Sequence, residues 1–115
     1  MRRGEIWLVD LDPARGSEAS KRRPAVIVSN NGANTTAVRL GRGVLTVVPV
    51  TSNAARVHPF QVLLPHGTTG LDQDSKAQAE QVRSVDAGRL RQRLGYLPGP
   101  VLAQLDEALR VHLAL

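Results

Sequence analysis

The chain reads as a mainly β protein: one domain over residues 1–115, a small and strongly bent β-barrel closed by a C-terminal helix. Two observations lead there. Short runs rich in β-branched residues are separated by Gly, Pro and Asn, which is the punctuation of strands and turns. After Pro98 the apolar spacing changes to that of a helix, and it does so only once, so strands followed by a helix fit better than βαβ units. A length of 115 residues with 42% hydrophobic content is enough for one core and too little for two.

Residues 5–11, Glu-Ile-Trp-Leu-Val-Asp-Leu, form the first expected strand, with Ile6, Leu8 and Trp7 packed, and Asp12-Pro13 breaks it. A polar loop follows, Arg15-Gly16-Ser17-Glu18-Ala19-Ser20-Lys21, expected to be mobile. It runs into Arg22-Arg23-Pro24 and the apolar run Ala25–Val28, a strand buried on both sides, so Arg23 stands at the junction of loop and strand. Asn30–Thr36 is turn chemistry with a short helical turn before Arg39. Gly41-Arg42-Gly43 opens the strongest β run, Val44–Ser52, in which Pro49 lacks a ladder donor and calls for a bulge or an edge. Pro59–Pro65 is a further strand, and His66–Gly70 its turn. Ser75–Val85 is one strand or a short pair, and Leu90–Leu97 is ambiguous. From Pro98 onward Val101, Leu102, Leu105, Ala108, Leu109, His112 and Leu113 share one helical face.

The absence of Cys excludes disulfides, zinc–thiolate sites and cysteine nucleophiles, and is compatible with a reducing, cytoplasmic setting. No apolar run reaches membrane-spanning length and no secretory h-region follows Met1-Arg2-Arg3, so the chain is expected to be soluble. The net charge of +5 is localised. Residues 15–56 hold seven bases against Glu18 alone, while the flanking segments are close to neutral. A polyanion is the natural partner of such a segment, and nucleic acid is the commonest.

Phosphate-loop, dinucleotide and serine-hydrolase signatures are missing, and three His without an HExxH pattern make a metal site an unpromising expectation. What remains is Arg23, Glu18, Thr51, Ser52, His58 and His66. RNA cleaves itself when its 2′-OH attacks the adjacent phosphate, so a protein need only move protons and stabilise charge. Arg suits the phosphorane charge and not the base role, because its pKa exceeds about 12. Glu18 is the carboxylate at hand, and the Thr51 hydroxyl can hold a phosphate oxygen. A His58/His66 acid–base pair competes, but the strand between them would separate the two by roughly 20 Å.

Gly16-Ser17-Glu18, then Arg23-Pro24-Ala25-Val26-Ile27-Val28, Val48-Pro49-Val50-Thr51-Ser52, Pro59-Phe60-Gln61-Val62 and Ala79-Glu80-Gln81-Val82-Arg83-Ser84-Val85, in that order and spacing, resemble the MazF/PemK toxins. The resemblance runs from Gly4 to the final helix. It implies an SH3-like, PemK-like barrel with a C-terminal helix, dimerising to bind single-stranded RNA in a groove. It also implies a metal- and cofactor-independent, sequence-specific endoribonuclease of a type II toxin–antitoxin module, an mRNA interferase that leaves 2′,3′-cyclic phosphate and 5′-OH ends. Carried over by position, Arg23 and Thr51 are the catalytic pair, Glu18 is an acidic loop position used in some members, and Gln81 lies in the RNA groove. Arg15, Lys21, Arg22 and Ser52 join them as expected RNA contacts, and an acidic antitoxin segment is the expected protein partner. A non-catalytic nucleic-acid-binding module, or a gyrase poison of the same fold, are the alternatives.

Overall fold

The computed structural model describes residues 1–19 and 21–115; Ser20, within the expected loop, lies outside the described residues. The elements run β1 (Glu5–Asp10), β2 (Arg22–Ile27), α1 (Asn31–Leu40), β3 (Val44–Thr51), β4 (Gln61–Leu64), a one-turn α2 (His66–Thr69), β5 (Ser75–Gln78), a 3-10 turn (Ala79–Gln81), β6 (Arg83–Asp86), a second 3-10 turn (Ala87–Arg89), β7 (Leu90–Tyr96) and α3 (Gly99–Leu113). The seven strands form one antiparallel sheet in the order β4-β5-β3-β2-β1-β7, with β6 also paired to β3.

The sheet is strongly bent, as expected, but is not closed: β4 and β7 share no ladder among the described residues. Their gap is spanned by close backbone packing. A Cβ at Gly95 of β7 would overlap the carbonyl oxygen of Thr69 at the end of α2, and a Cβ at Gly70 would lie 2.8 Å from the Leu94 carbonyl oxygen. Gly70 is also left-handed, with φ +84°, so the chain leaves α2 by a turn that L side chains resist.

Strand alternation gives the sheet two buried faces. Ile6, Val26, Val48, Val50, Val62, Leu64 and Ala77 face one core, which Leu105 and Ala108 of α3 complete. Val9, Ala25, Ile27, Leu45, Val47 and Val85 face the other, closed by Ala37 of α1 and by Ala19 from the β1–β2 loop. In β1 the packed residues are therefore Ile6 and Val9; Trp7 and Leu8 are only half-buried. Helix α3 starts at Pro98–Pro100 as expected, but His112 and Leu113 at its far end are exposed.

Helix α1 occupies ten residues where a turn was expected. Its ends are set by chemistry the sequence carries: the Asn30 side chain accepts from the Ala33 amide at 2.8 Å, and Gly41 closes the helix in the left-handed region with φ +66°. Asn34 is wholly buried and paired, its amide donating to the Ser29 carbonyl at 2.9 Å. The ambiguous Leu90–Leu97 resolves as β7, paired along β1.

Gly95→Ala is expected to destabilise the fold by about 1–3 kcal/mol, the usual range for forced overpacking, because the obstacle is backbone and cannot swing aside. The measurement is the midpoint of a urea unfolding curve beside that of the wild type; an unchanged midpoint would refute the packing described.

Candidate active site

Two prolines position the site. Strands β2 and β3 pair as Ile27↔Val47, Val26↔Val48 and Ala25↔Pro49, and there the ladder stops. The next residue of β2 is Pro24, in the same hydrogen-bonded phase as Val28, whose amide donates to the Thr46 carbonyl at 2.9 Å, so the donor the ladder would use next is missing; Pro49 is in the alternate phase and its ring nitrogen faces the other side of β3. Extended by two residues, the same register would set Arg23 opposite Thr51. Instead the strands part and β3 changes neighbours, from β6 along Val44–Val47 to β5 at Val50–Thr51. The expected irregularity at Pro49 is this change of partner.

The parting leaves a cleft of about 440 Å³. Arg22, Arg23 and Pro24 line it from β2, Val50, Thr51 and Ser52 from β3, Gly70, Leu71, Asp72, Gln73 and Ser75 from the α2–β5 segment, and Leu94 from β7. Arg23 is half-buried and Arg22 exposed. The Thr51 hydroxyl accepts from the Asn53 amide at 3.2 Å, which leaves its own proton for an incoming acceptor. Two guanidiniums, three hydroxyl side chains and one carboxylate line this hollow, and the guanidiniums and hydroxyls are groups that can bind an anion.

The cleft brings together Arg23, Thr51, Ser52 and Arg22 of the expected set, and it leaves out Glu18, Gln81, Arg15 and Lys21. Glu18 belongs to the loop's own architecture: its Oε1 accepts from the Arg15 amide at 3.2 Å, and its amide donates to the Arg15 carbonyl at 3.1 Å. Gln81 ties that loop to the sheet. Its Oε1 accepts from the Ala19 amide at 2.9 Å, and its Nε2 donates to the Ser17 carbonyl at 3.0 Å, so one side chain holds the loop by two backbone groups.

Further anchors hold the loop's base. The Leu11 amide donates to the Lys21 carbonyl at 2.9 Å, and the Asp12 carboxylate accepts from the Lys21 amide at 2.8 Å. Arg83 donates to the Leu11 carbonyl, and Arg89 to the carbonyls of Asp10 and Asp12. Lys21 is left-handed, φ +66°, which costs an L residue roughly 1–2 kcal/mol and turns the chain into β2 just before Arg22 and Arg23. The loop expected to be mobile is thus tethered at its base and its middle.

His58 and His66 do not form a pair. His58 stacks on Phe60, with ring centroids 5.2 Å apart, whereas His66 Nδ1 meets Asp74 Oδ1 at 2.7 Å. Asp74 also accepts from the His66 amide at 3.0 Å; that bond first and the imidazole after it hold the Asp74 carboxyl below the usual Asp range. This tie is present above the ordinary carboxylate pKa and is lost as the pH falls through the lowered native value.

Sequence reasoning missed two carboxylates. Asp72 lines the cleft, a position that only the backbone contact of Gly70 with β7 makes legible. Glu80, inside the block that carries the resemblance, takes a hydrogen bond from Gln61 Nε2 at 2.7 Å, while its other oxygen and that of Gln78 are buried without a partner among the described residues.

Known proteins match this arrangement over its length. The family model for PemK-like, MazF-like toxins of type II toxin–antitoxin systems matches residues 2–113. The chain is 68% identical over 115 residues to endoribonuclease MazF9 of Mycobacterium tuberculosis, covering all of this chain and 98% of that one. It superposes on the crystal structure of MazF from Deinococcus radiodurans with a TM-score of 0.82 at 29% identity, covering 100% of this chain and 97% of that one. The MazE–MazF crystal structure from the same organism matches with a TM-score of 0.74 at 27% identity, over 100% and 96% of the two chains. With nearly every residue inside the family match, the chain belongs to the PemK-like, MazF-like toxins of type II toxin–antitoxin systems.

Proposed function

We propose that this chain is the toxin of its module and acts as an endoribonuclease. It cuts single-stranded RNA sequence-specifically, by attack of a 2′-OH on the adjacent phosphate, to give 2′,3′-cyclic phosphate and 5′-OH ends without a metal or cofactor. The observation that carries this reading is the cleft in which Arg23 and Thr51 come together where the β2–β3 ladder ends. Arg23, half-buried and therefore poorly screened, stabilises the charge that develops on the phosphoryl oxygens, and Thr51 donates its hydroxyl proton to one of them. Arg22, Ser52 and the exposed Lys21 and Arg15 at the loop's ends hold flanking phosphates. Gln81 contributes indirectly, by holding the loop. The relative at 68% identity, itself named an endoribonuclease, supports the same reading.

The partner is an acidic antitoxin segment laid over the cationic residues 15–23, in line with the family's modules and with the MazE–MazF structure. The working form is a homodimer in the cytoplasm, where its substrate is found. The exposed Leu63 on the edge strand β4, and Val111 and Leu113 at the end of α3, supply apolar surface for self-association.

The test is to incubate the pure protein with a long, mostly unpaired RNA in EDTA and to map the ends. Arg23→Ala is expected to lower the cleavage rate by about 10²–10³-fold, the loss seen when a transition-state donor is removed, with a smaller effect on binding because Lys21 and Arg22 remain. Thr51→Ala should lose rate in the same way; Glu18→Ala and Gln81→Ala should lose less, and His58→Ala should be nearly silent. Cleavage that needs a divalent ion, or survives loss of both Arg23 and Thr51, would sink the mechanism.

Affinity for a non-cleavable single-stranded analogue is expected to fall with salt at a log–log slope of roughly −2 to −4 if three to six phosphates are neutralised. A flat profile would remove the phosphate contacts. Light scattering at micromolar concentration should give about 25 kDa, twice the 12.4 kDa of one chain, and a monomer would refute the dimer.

A further inference from the structure

The cleft contains one carboxylate. Of its lining residues only Asp72 carries a carboxyl group, whereas Glu18, the acid that the sequence offered, lies on the loop with Oε1 turned to the Arg15 amide. Asp72 is presented by a built segment. Thr69 Oγ1 donates to the Pro65 carbonyl at 2.8 Å, Ser75 Oγ donates to the Gln73 carbonyl at 3.0 Å, and the neighbouring acid, Asp74, is taken up by His66. Gly70 packs this segment against the backbone of β7, whose Leu94 forms part of the same wall. Asp72 itself is exposed and makes no hydrogen bond or ion pair among the described residues.

We infer that Asp72, which lines the same cleft as Arg23 and Thr51, is the proton acceptor for the attacking 2′-OH. The inference rests on the ribonuclease reading above and assigns the one role that Arg23 and Thr51 cannot fill. In the step, the 2′-OH proton passes to the Asp72 carboxylate as the O2′–P bond forms. The P–O5′ bond then breaks with its electron pair on O5′, which takes a proton from water, and the resulting hydroxide removes the proton from Asp72. No oxidant, metal or covalent adduct enters the balance. The absence of an ion pair between Asp72 and Arg23 among the described residues suits a base, because a carboxylate in direct contact with the guanidinium would compete with the phosphate for it. The charged groups that line the cleft with Asp72 are Arg22 and Arg23 of β2, and Asp74 and His66 lie on its own segment; β3 and β7 contribute Val50, Thr51, Ser52 and Leu94 to the lining.

The experiment is single-turnover cleavage of a long unpaired RNA in EDTA across a range of pH, for wild type, Asp72→Asn, Asp72→Glu, Asp74→Asn and Arg23→Ala. A parallel RNA carries 2′-deoxyribose at the mapped cut. Asp72→Asn is expected to slow cleavage by about 10²–10⁴-fold, the usual contribution of a positioned base, with RNA affinity unchanged or raised and the acid limb of the pH–rate profile abolished. Asp72→Glu should restore part of the rate together with the acid limb, and Asp74→Asn should keep that limb. If Asp72→Asn cleaves at the wild-type rate, or is slower at every pH with the acid limb intact, the inference is overturned while the nuclease reading stands. If wild type leaves the RNA whole, or cuts the 2′-deoxy position equally well, it is the underlying reading that fails.

Discussion

A hydrogen-bond ladder interrupted at one point governs the functional geometry of this protein. Sheets lower their energy by pairing every backbone group, and nothing in the side chains of β2 and β3 forbids further pairing past Ala25↔Pro49. The ring nitrogen of Pro24 does interrupt it, and that of Pro49, on the other side of β3, removes the donor that would extend the ladder with β6. A strand pair that cannot zip to its end must diverge, and divergence leaves the last side chains, Arg23 and Thr51, facing a hollow rather than each other. The site thus needs no long insertion or lid; it arises where regular structure runs out of donors. β3 tolerates the break because it has β6 to pair with before Pro49 and β5 after it.

The cationic loop shows how charge and order are reconciled. Arg15, Lys21 and Arg22 repel one another, and a free loop would spread them. Glu18 folds back onto Arg15's amide, Asp12 fixes Lys21's, and Gln81 grips the middle by the Ser17 carbonyl and the Ala19 amide. Ala19, nearly fully buried, anchors the loop to the second core. Side chains that look like ligand-binding groups in the sequence are therefore spent on backbone, and the cations are left for the ligand. Arg83 and Arg89 act likewise at the loop's base, which lowers the number of arginines available to a polyanion below the formal count.

The legible part of the fold is the part dictated locally. The runs at Ile6–Val9, Ala25–Ile27 and Val44–Val50 carry enough β-branched residues to be strands in any context, and the 3.6-residue spacing after Pro98 is a helix wherever it packs. Helix α1 was hidden because Asn31-Gly32-Ala33-Asn34-Thr35-Thr36 has the composition of a turn; its Asn30 cap and Gly41 stop were visible, but they became decisive only once Ala37 and Asn34 had a core to enter. β7 was ambiguous since Arg91, Gln92 and Arg93 have no periodicity of their own and become a strand by pairing with β1. Of the residues that line the cleft, Arg23 and Thr51 were singled out by residue order. Asp72 was not, because its place depends on Gly70 and Gly95 letting two backbones touch, a contact between residues distant in sequence.

That dependence explains why the cleft is held from both sides. One wall, β2 and β3, is fixed by the central ladder and the valine-rich core beneath it. The other wall hangs from a single helical turn, a left-handed glycine and the His66–Asp74 tie on the surface, an exposed pair worth little by itself. What stiffens it is excluded volume: Gly95 removes the one Cβ that would hold Thr69 away, so the α2–β5 segment is pressed onto β7 and Leu94 closes the hollow. The hollow is thus lined by two guanidiniums carried on a strand and by one carboxylate carried on the packed segment.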